Sequence, residues 1–305
     1  MARTLLLADT ESSWRDWLKE YRGSDDLLCL DPAHPVQRYP GRIALWRGEH
    51  LADWRFVGTP DYRKAPHMVL AALSMLLPKA SPDCTILAPP LAASPLARQI
   101  LLLIDRLAAP AKILAPSHFP FSLEGWSVGP EPVNLPKEFP SVVMNAQRKA
   151  AWLAMLEGCT DHELPLAKLS FEGSRIGSGH RVTAHDFERL GIRECLYGEV
   201  LGDFLFLITK GALSEEVIAR ALDAYHCHNV KIAHEDEYAG LLIGLARANG
   251  QDAAIGIIEN LDFEQGVLRV KVTISDVANV QTVKLGLQRI DAKGNELPDV
   301  KPWTL

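Results

Sequence analysis

The chain has 305 residues, 48% of them hydrophobic and 23% charged, with a formal net charge of −6. Such a length makes one large domain or two ordinary ones, and the apolar content excludes a disordered or fibrous chain. The negative balance excludes a global positive field for nucleic acid or an acidic membrane, and leaves room only for local basic patches.

In chain order, Thr4–Ala8 reads as a short apolar strand, followed by a helix with Trp14, Trp17, Leu18 and Tyr21 on one face. Leu27–Leu30, Arg42–Trp46 and Arg55–Val57 read as further strands, and Ala65–Leu77 as a helix stopped by Pro78. Cys84–Ala88 is another apolar strand. Ser94 then reads as an N-cap, with Pro95 at the first helical position and Gln99–Ala108 continuing the helix. Lys112–Ala115 closes the series as a strand. Strands alternating with helices predict crossover connections, and hence a Rossmann-like or P-loop-like layered α/β domain on a mainly parallel sheet over residues 1–115.

Six prolines, from Pro116 to Pro140, break any regular element, so 116–140 is expected to be a connection between domains. The alternative is an ordered excursion of the first domain. Residues 141–305 are expected to form a second α/β domain rich in antiparallel strands. It opens with a helix at Asn145–Glu157, and Thr183 caps a short helix that ends at Gly191. A hairpin, Glu194–Glu199 with Phe204–Thr209, follows, and Ser214 starts a helix reaching Tyr225. Leu268, Val270, Val272 and Ile274 alternate with polar residues as a half-buried strand does, and Val283, Leu285 and Leu287 repeat the pattern. Lys293-Gly294-Asn295 marks a turn.

The five cysteines, Cys29, Cys84, Cys159, Cys195 and Cys227, form no CxxC pair and read as reduced thiols of a cytoplasmic protein. The opening MARTLLLADTESSW has too short an apolar run before Asp9 and Glu11 for a signal peptide. Longer apolar stretches are broken by Arg, Asp or Pro before the roughly 20 residues of a membrane span.

The second half contains, in order, GSRIGSG at Gly173–Gly179, LYGE at Leu196–Glu199 and YAGLLIGL at Tyr238–Leu245. AIGIIENLDFEQGVLRVKV at Ala254–Val272 and VKLGLQRIDAKGNEL at Val283–Leu297 follow. This succession resembles the C-terminal domain of the polynucleotide 5′-hydroxyl kinases of RNA processing. None of these segments is a catalytic motif, so they specify ancestry better than activity. The first half is similar in layout: PGRIAL at Pro40–Leu45 and FVGTPD at Phe56–Asp61 look like family segments. Thr4–Ala8 sits where the strand before the phosphate loop belongs. The family's additional N-terminal β domain is expected to be absent, because the chain starts at that strand.

A phosphate loop needs glycines that free backbone N–H groups, a Lys for the β/γ-phosphates and a Ser or Thr for magnesium. The first strand instead runs into ADTESSW, Ala8–Trp14, with no Gly or Lys and with Asp9 and Glu11 where anions would sit. No GxxxxGK[ST] occurs elsewhere in the chain. The family's acidic strand end is replaced by APPLAA, Ala88–Ala93. Asp31 is a candidate surviving carboxylate, although Asp at a strand end is commonly a turn residue.

The best remaining anion site is the Gly173–Arg181 segment, where Arg175, Ser178, His180 and Arg181 are the candidate donors around a backbone nest. A glycine-rich structural turn is the alternative. His226-Cys227-His228 with His234 invites a metal reading, but adjacent residues diverge and no second cluster supports one, so no metal is expected. Trp14, Trp17, Trp46 and Trp54 are candidate base-stacking platforms or, at that spacing, core. No GxSxG elbow marks a nucleophile. The resemblance and these losses together imply a non-catalytic kinase relative without cofactor, whose partner is RNA or a protein of RNA processing. The alternative is an enzyme with a remodelled phosphoryl-transfer or hydrolase site in the first domain.

Overall fold

In the computed structural model, which describes residues 3–10, 13–21, 26–90, 95–116 and 140–300, the run TLLLA forms β1 (Thr4–Ala8). The chain divides into two compact units, Met1–Ala154 and Met155–Leu305. The first unit continues with α1 (Arg15–Tyr21), β2 (Asp26–Cys29), β3 (Arg42–Arg47), β4 (His50–Phe56) and α2 (Pro66–Leu76). Next come β5 (Thr85–Pro90), α3 (Pro95–Ala108), β6 (Lys112–Leu114) and α4 (Ser141–Glu157), whose last residues pass into the second unit. The Ser94 cap and the Pro-rich connection, except its first and last residues, lie outside the described residues.

The strands form one sheet in the order β4-β3-β2-β5-β1-β6. β1 pairs in parallel with β5 and β6, and β2 in parallel with β5, so the central strands are parallel as expected. β3 and β4 are antiparallel additions at one edge. The reason is local: only a single 3₁₀ turn, Pro35–Gln37, separates β2 from β3, and a tight turn through Gly48, at φ 56°, returns β3 into β4. Both faces of the parallel part are covered, so its strands read as continuous apolar runs. Leu5, Leu7, Leu28 and Ile43 pack in one core with Val69 and Leu73 of α2 and Ile100 and Ile104 of α3.

The second unit holds two sheets. β9 (His180–Arg181), β10 (Cys195–Leu201), β11 (Phe204–Thr209) and β12 (Asn229–His234) form one, in the order β12-β11-β10-β9. Its helices are α5 (Ala184–Leu190) and α6 (Glu215–Ala224), whose Phe187 and Ala221 pack with Leu205 and Leu207. Thr183 and Asp186 form a capping box on α5, and Gly191 ends it in the left-handed region at φ 72°.

The larger sheet combines β7 (Thr160–Pro165), β8 (Ser170–Glu172), β13 (Leu241–Arg247), β14 (Asp252–Asp262), β15 (Val267–Val272), β16 (Val280–Ile290) and β17 (Glu296–Leu297). Its order is β17-β16-β13-β14-β15-β7, with β8 parallel to β16 and the other pairs antiparallel. The family-like segments at Tyr238–Leu245, Ala254–Val272 and Val283–Leu297 therefore build this sheet and its core, with Leu241, Ile243, Ile258, Val270 and Val283 fully buried, while Leu196–Glu199 lies in β10 of the smaller sheet.

Gly256 sits in β14 opposite Val272, where an added Cβ would lie 2.0 Å from the Lys271 carbonyl oxygen and 2.7 Å from Val272 Cα. Backbone cannot step aside as a side-chain tip can. Gly256→Ala is expected to lower unfolding stability by about 2 kcal/mol, read as a shift in urea midpoint at constant slope.

Candidate functional site

In an open parallel sheet, ligands bind beyond the carboxyl ends of the strands, where successive connections leave in opposite directions. Here β1 connects through α1 toward β2, and β5 connects through α3 toward β6, so that point lies between the ends of β1 and β5.

The turn after β1 is closed upon itself. Ser13 Oγ accepts hydrogen bonds from the Asp9 and Thr10 amides at 3.3 and 3.0 Å, and donates to Asp9 Oδ1. Among the described residues of the turn, the Asp9 and Thr10 N–H groups are thus met by a hydroxyl of the same turn. Trp14 follows with φ 69°, its side chain buried and its indole N–H bonded to the Leu7 carbonyl at 2.7 Å. Glu11 and Ser12 lie outside the described residues. The end of β5, in register with Ala8, is Pro89-Pro90, which has no backbone N–H to offer. Residues 91–93 lie outside the described residues. Asp9 adds a negative charge to this end of the sheet. These residues do not fit a magnesium–nucleoside triphosphate, whose charge must be met by fixed donors and a cation as it leaves water.

Asp31, after β2, is buried, and its Oδ1 accepts the Ala33 amide at 2.9 Å. That is the Asx-turn role which a strand-end Asp commonly takes. The histidine three residues on carries more. His34 Nε2 lies 3.1 Å from the Ser13 carbonyl and Nδ1 accepts the Val36 amide at 3.2 Å, so the neutral ring joins the turn after β1 to the loop after β2. Burial pushes its pKa down to about 4. The neutral ring's contribution is therefore fully present above the unfolded value of about 6.5 and lost as pH falls from there toward 4. A drop in pH over that window is expected to cost roughly 3 kcal/mol of stability, and urea titrations should show the drop vanish in His34→Gln. Sequence spacing gave no sign of this residue; only the two facing loops reveal it.

In the second unit, the Gly173–Arg181 loop meets a carboxyl group of the protein itself. The Gly177 and Gly179 amides donate to the two carboxylate oxygens of Glu199 at 2.7 and 2.8 Å. Glu199 is 3% exposed and also accepts the Tyr197 hydroxyl. Burial first, and then Glu199, push the Tyr197 phenol well above its usual range. Each of the four candidate donors has its own place in the fold. Arg175 stacks over Phe204 at 4.3 Å and Arg181 over Tyr197 at 4.4 Å. Ser178 Oγ donates to the Arg175 carbonyl, and His180 lies in β9 opposite Val200.

The tryptophans resolve to packing, with Trp14, Trp46 and Trp54 buried and Trp17 edge-on to Trp14 at 5.4 Å. In the His226–His228 run, Cys227 is buried with its sulfur toward the Tyr225 carbonyl, His226 has φ 53° and His228 faces Asp203. The described residues contain no group of three or more His, Cys, Asp or Glu placed to hold a metal. Among them, no helix is long and apolar enough to cross a membrane.

No family model matches the chain. A polyribonucleotide 5′-hydroxyl-kinase of Pyrococcus furiosus is 24% identical over 153 residues, 49% of this chain and 42% of that protein. The chain thus covers under half the length of the curated relative it matches. Two solved Clp1p–Pcf11p complexes share the fold. One gives the structural basis for ATP loss in a glycine-to-arginine point mutant, with TM-score 0.55, 10% identity, and 94% of this chain and 75% of that one covered. The other is the wild-type complex, with TM-score 0.53, 10% identity and coverage of 94% and 74%. The chain is thus similar in sequence to a polyribonucleotide 5′-hydroxyl-kinase, as the resemblance read from its segments implied, and it shares its fold with the Clp1p structures.

Proposed function

We propose that this chain is a non-catalytic relative of the polynucleotide 5′-hydroxyl kinases, serving RNA processing as a binding or scaffold protein. The observation that carries this reading is the closed turn after β1, where Ser13 and Asp9 occupy the donors that would hold a phosphate. Pro89-Pro90 at the facing strand end supports it from an independent element. ATP binding in the family's manner and transfer to a 5′-hydroxyl are both lost on this reading, while the fold is retained. The partner is RNA or a protein of RNA processing; the Clp1p neighbours, seen with Pcf11p, favour a protein. At Gly173–Arg181, any contact with RNA phosphates falls to the side chains of Arg175, His180 and Arg181, since Glu199 takes the Gly177 and Gly179 amides. A γ-phosphate transfer assay on 5′-hydroxyl RNA tests the proposal, and measurable turnover defeats it.

A further inference from the structure

Beside the closed turn, the first unit has a second concavity with opposite character. A cavity of about 230 Å³ is lined by Arg15 from α1, Arg38 from the loop between β2 and β3, and Arg148 from α4. No Asp or Glu is among the described residues that line it, in a chain whose net charge is −6. Arg38 is braced with its guanidinium 5.1 Å from the Trp46 ring centre, and Arg148 Nη2 donates to Asn145 Oδ1 at 3.3 Å. Gln147 lines the same cavity, and its buried side-chain oxygen has no hydrogen-bond partner among the described residues. Since the oxygen and nitrogen of such an amide are assigned from their neighbours, a reversed Gln147 would present donors to an anion. His34 supplies shape rather than charge, because both its ring nitrogens are engaged.

Three guanidiniums around one small space repel each other unless an anion is placed between them. Guanidinium geometry favours phosphate oxygens in particular, through paired N–H donors. The remaining wall is apolar, from Pro35, Pro40 and Met144 among others, and reduces competition from water. The volume lies below the roughly 300–1,000 Å³ of pockets that engulf a whole small molecule, so it suits one phosphate group with part of its sugar.

We infer that this tri-arginine cavity is a phosphate-binding site, taking a single phosphoryl group of a ribonucleotide chain or of a small phosphate ester. It goes beyond the proposed function and does not depend on it.

The test uses the full chain at low salt, titrated with inorganic phosphate, 5′-AMP and a 5′-phosphorylated oligouridylate. Wild-type protein and the double variant Arg38→Gln/Arg148→Gln are compared, with melting curves to establish that both are folded. Binding should weaken at least tenfold in the variant, and the salt dependence of oligonucleotide binding should flatten by one to two charges. Tighter binding of the oligouridylate than of 5′-AMP assigns the phosphate to an RNA chain; equal affinity assigns it to a small ester. If the wild type binds none of the three, or the folded double variant binds as well as wild type, the site does not exist. If the double variant fails to fold, Arg38→Lys and Arg148→Lys replace it, and affinities equal to wild type in both overturn the proposal, because bidentate recognition requires the fork. Kinase turnover in the same protein would defeat the proposed function and leave this site standing.

Discussion

Incubated with magnesium, γ-labelled ATP and a 5′-hydroxyl oligoribonucleotide, the protein is expected to leave the label on ATP. Working phosphoryl-transfer enzymes of comparable design turn over at roughly 1–100 per second, so an hour's incubation separates the two outcomes by orders of magnitude. Two independent losses lead to this result. In the turn after β1 the Asp9 and Thr10 amides are spent on the Ser13 hydroxyl, and the Asp9 carboxylate adds a negative charge there. The end of β5 presents Pro89-Pro90, which can neither donate a hydrogen bond nor hold a metal through a side chain. Calorimetric titration with Mg–ATP should show no micromolar binding. Micromolar binding together with transfer, both lost in Asp9→Asn or Asp31→Asn, would reveal a remodelled active site instead.

Replacing Glu199 is expected to be among the most damaging single changes in the second unit. Its carboxylate meets two backbone amides at 2.7 and 2.8 Å and the Tyr197 hydroxyl from a position that is 3% exposed. Glu199→Ala strands the Gly179 amide and the Tyr197 hydroxyl, and leaves the Gly177 amide only its longer bond to the Tyr197 oxygen at 3.3 Å. At about 1–3 kcal/mol for each buried donor left unmet, and with water able to reach some of them, a loss of about 3–5 kcal/mol follows. Glu199→Gln keeps one acceptor oxygen and should lose about half as much. With Glu199 removed, the Tyr197 phenol should titrate closer to its ordinary range, since the carboxylate is one of the causes that raise it. Urea unfolding and the tyrosinate absorbance read these effects separately. Stability within about 0.5 kcal/mol of wild type in Glu199→Ala would mean that the carboxylate does not hold the loop.

The framework was largely legible in the sequence because both of its periodicities are strong. Thr4–Ala8 is β1 residue for residue, and the Thr183 cap, the Gly191 stop and the hairpin of Glu194–Glu199 with Phe204–Thr209 stand where their chemistry predicts. Arg55–Val57 is the inner end of β4, His50–Phe56, whose outer half, His50-Leu51-Ala52-Asp53, is mostly exposed and mixes polar with apolar residues without alternation. The β3–β4 hairpin was invisible as such: two short apolar runs do not reveal whether they pair with each other or cross over. Missing phosphate-loop chemistry could be read directly, since an absent Gly and Lys need no geometry. His34, Glu199 and the three arginines could not be read. Each acts through partners far away in the chain, and one-dimensional spacing contains no such distances; Glu199 reaches Gly177 across 22 positions.

The closed turn also changes how the first unit relates to its surroundings. A nucleotide-binding domain draws part of its stability from its ligand by mass action, gaining about 2.7 kcal/mol at a hundredfold excess over Kd, and loosens as the ligand is depleted. On the proposed reading, the Ser13 hydroxyl stands in the ligand's place and never dissociates. The melting temperature of this unit should then be indifferent to the nucleotide pool, and its surfaces should present the same shape whether ATP is plentiful or scarce. A former energy-dependent part would have become a constitutive one, available to a partner at all times and unable to signal the energy state of its environment.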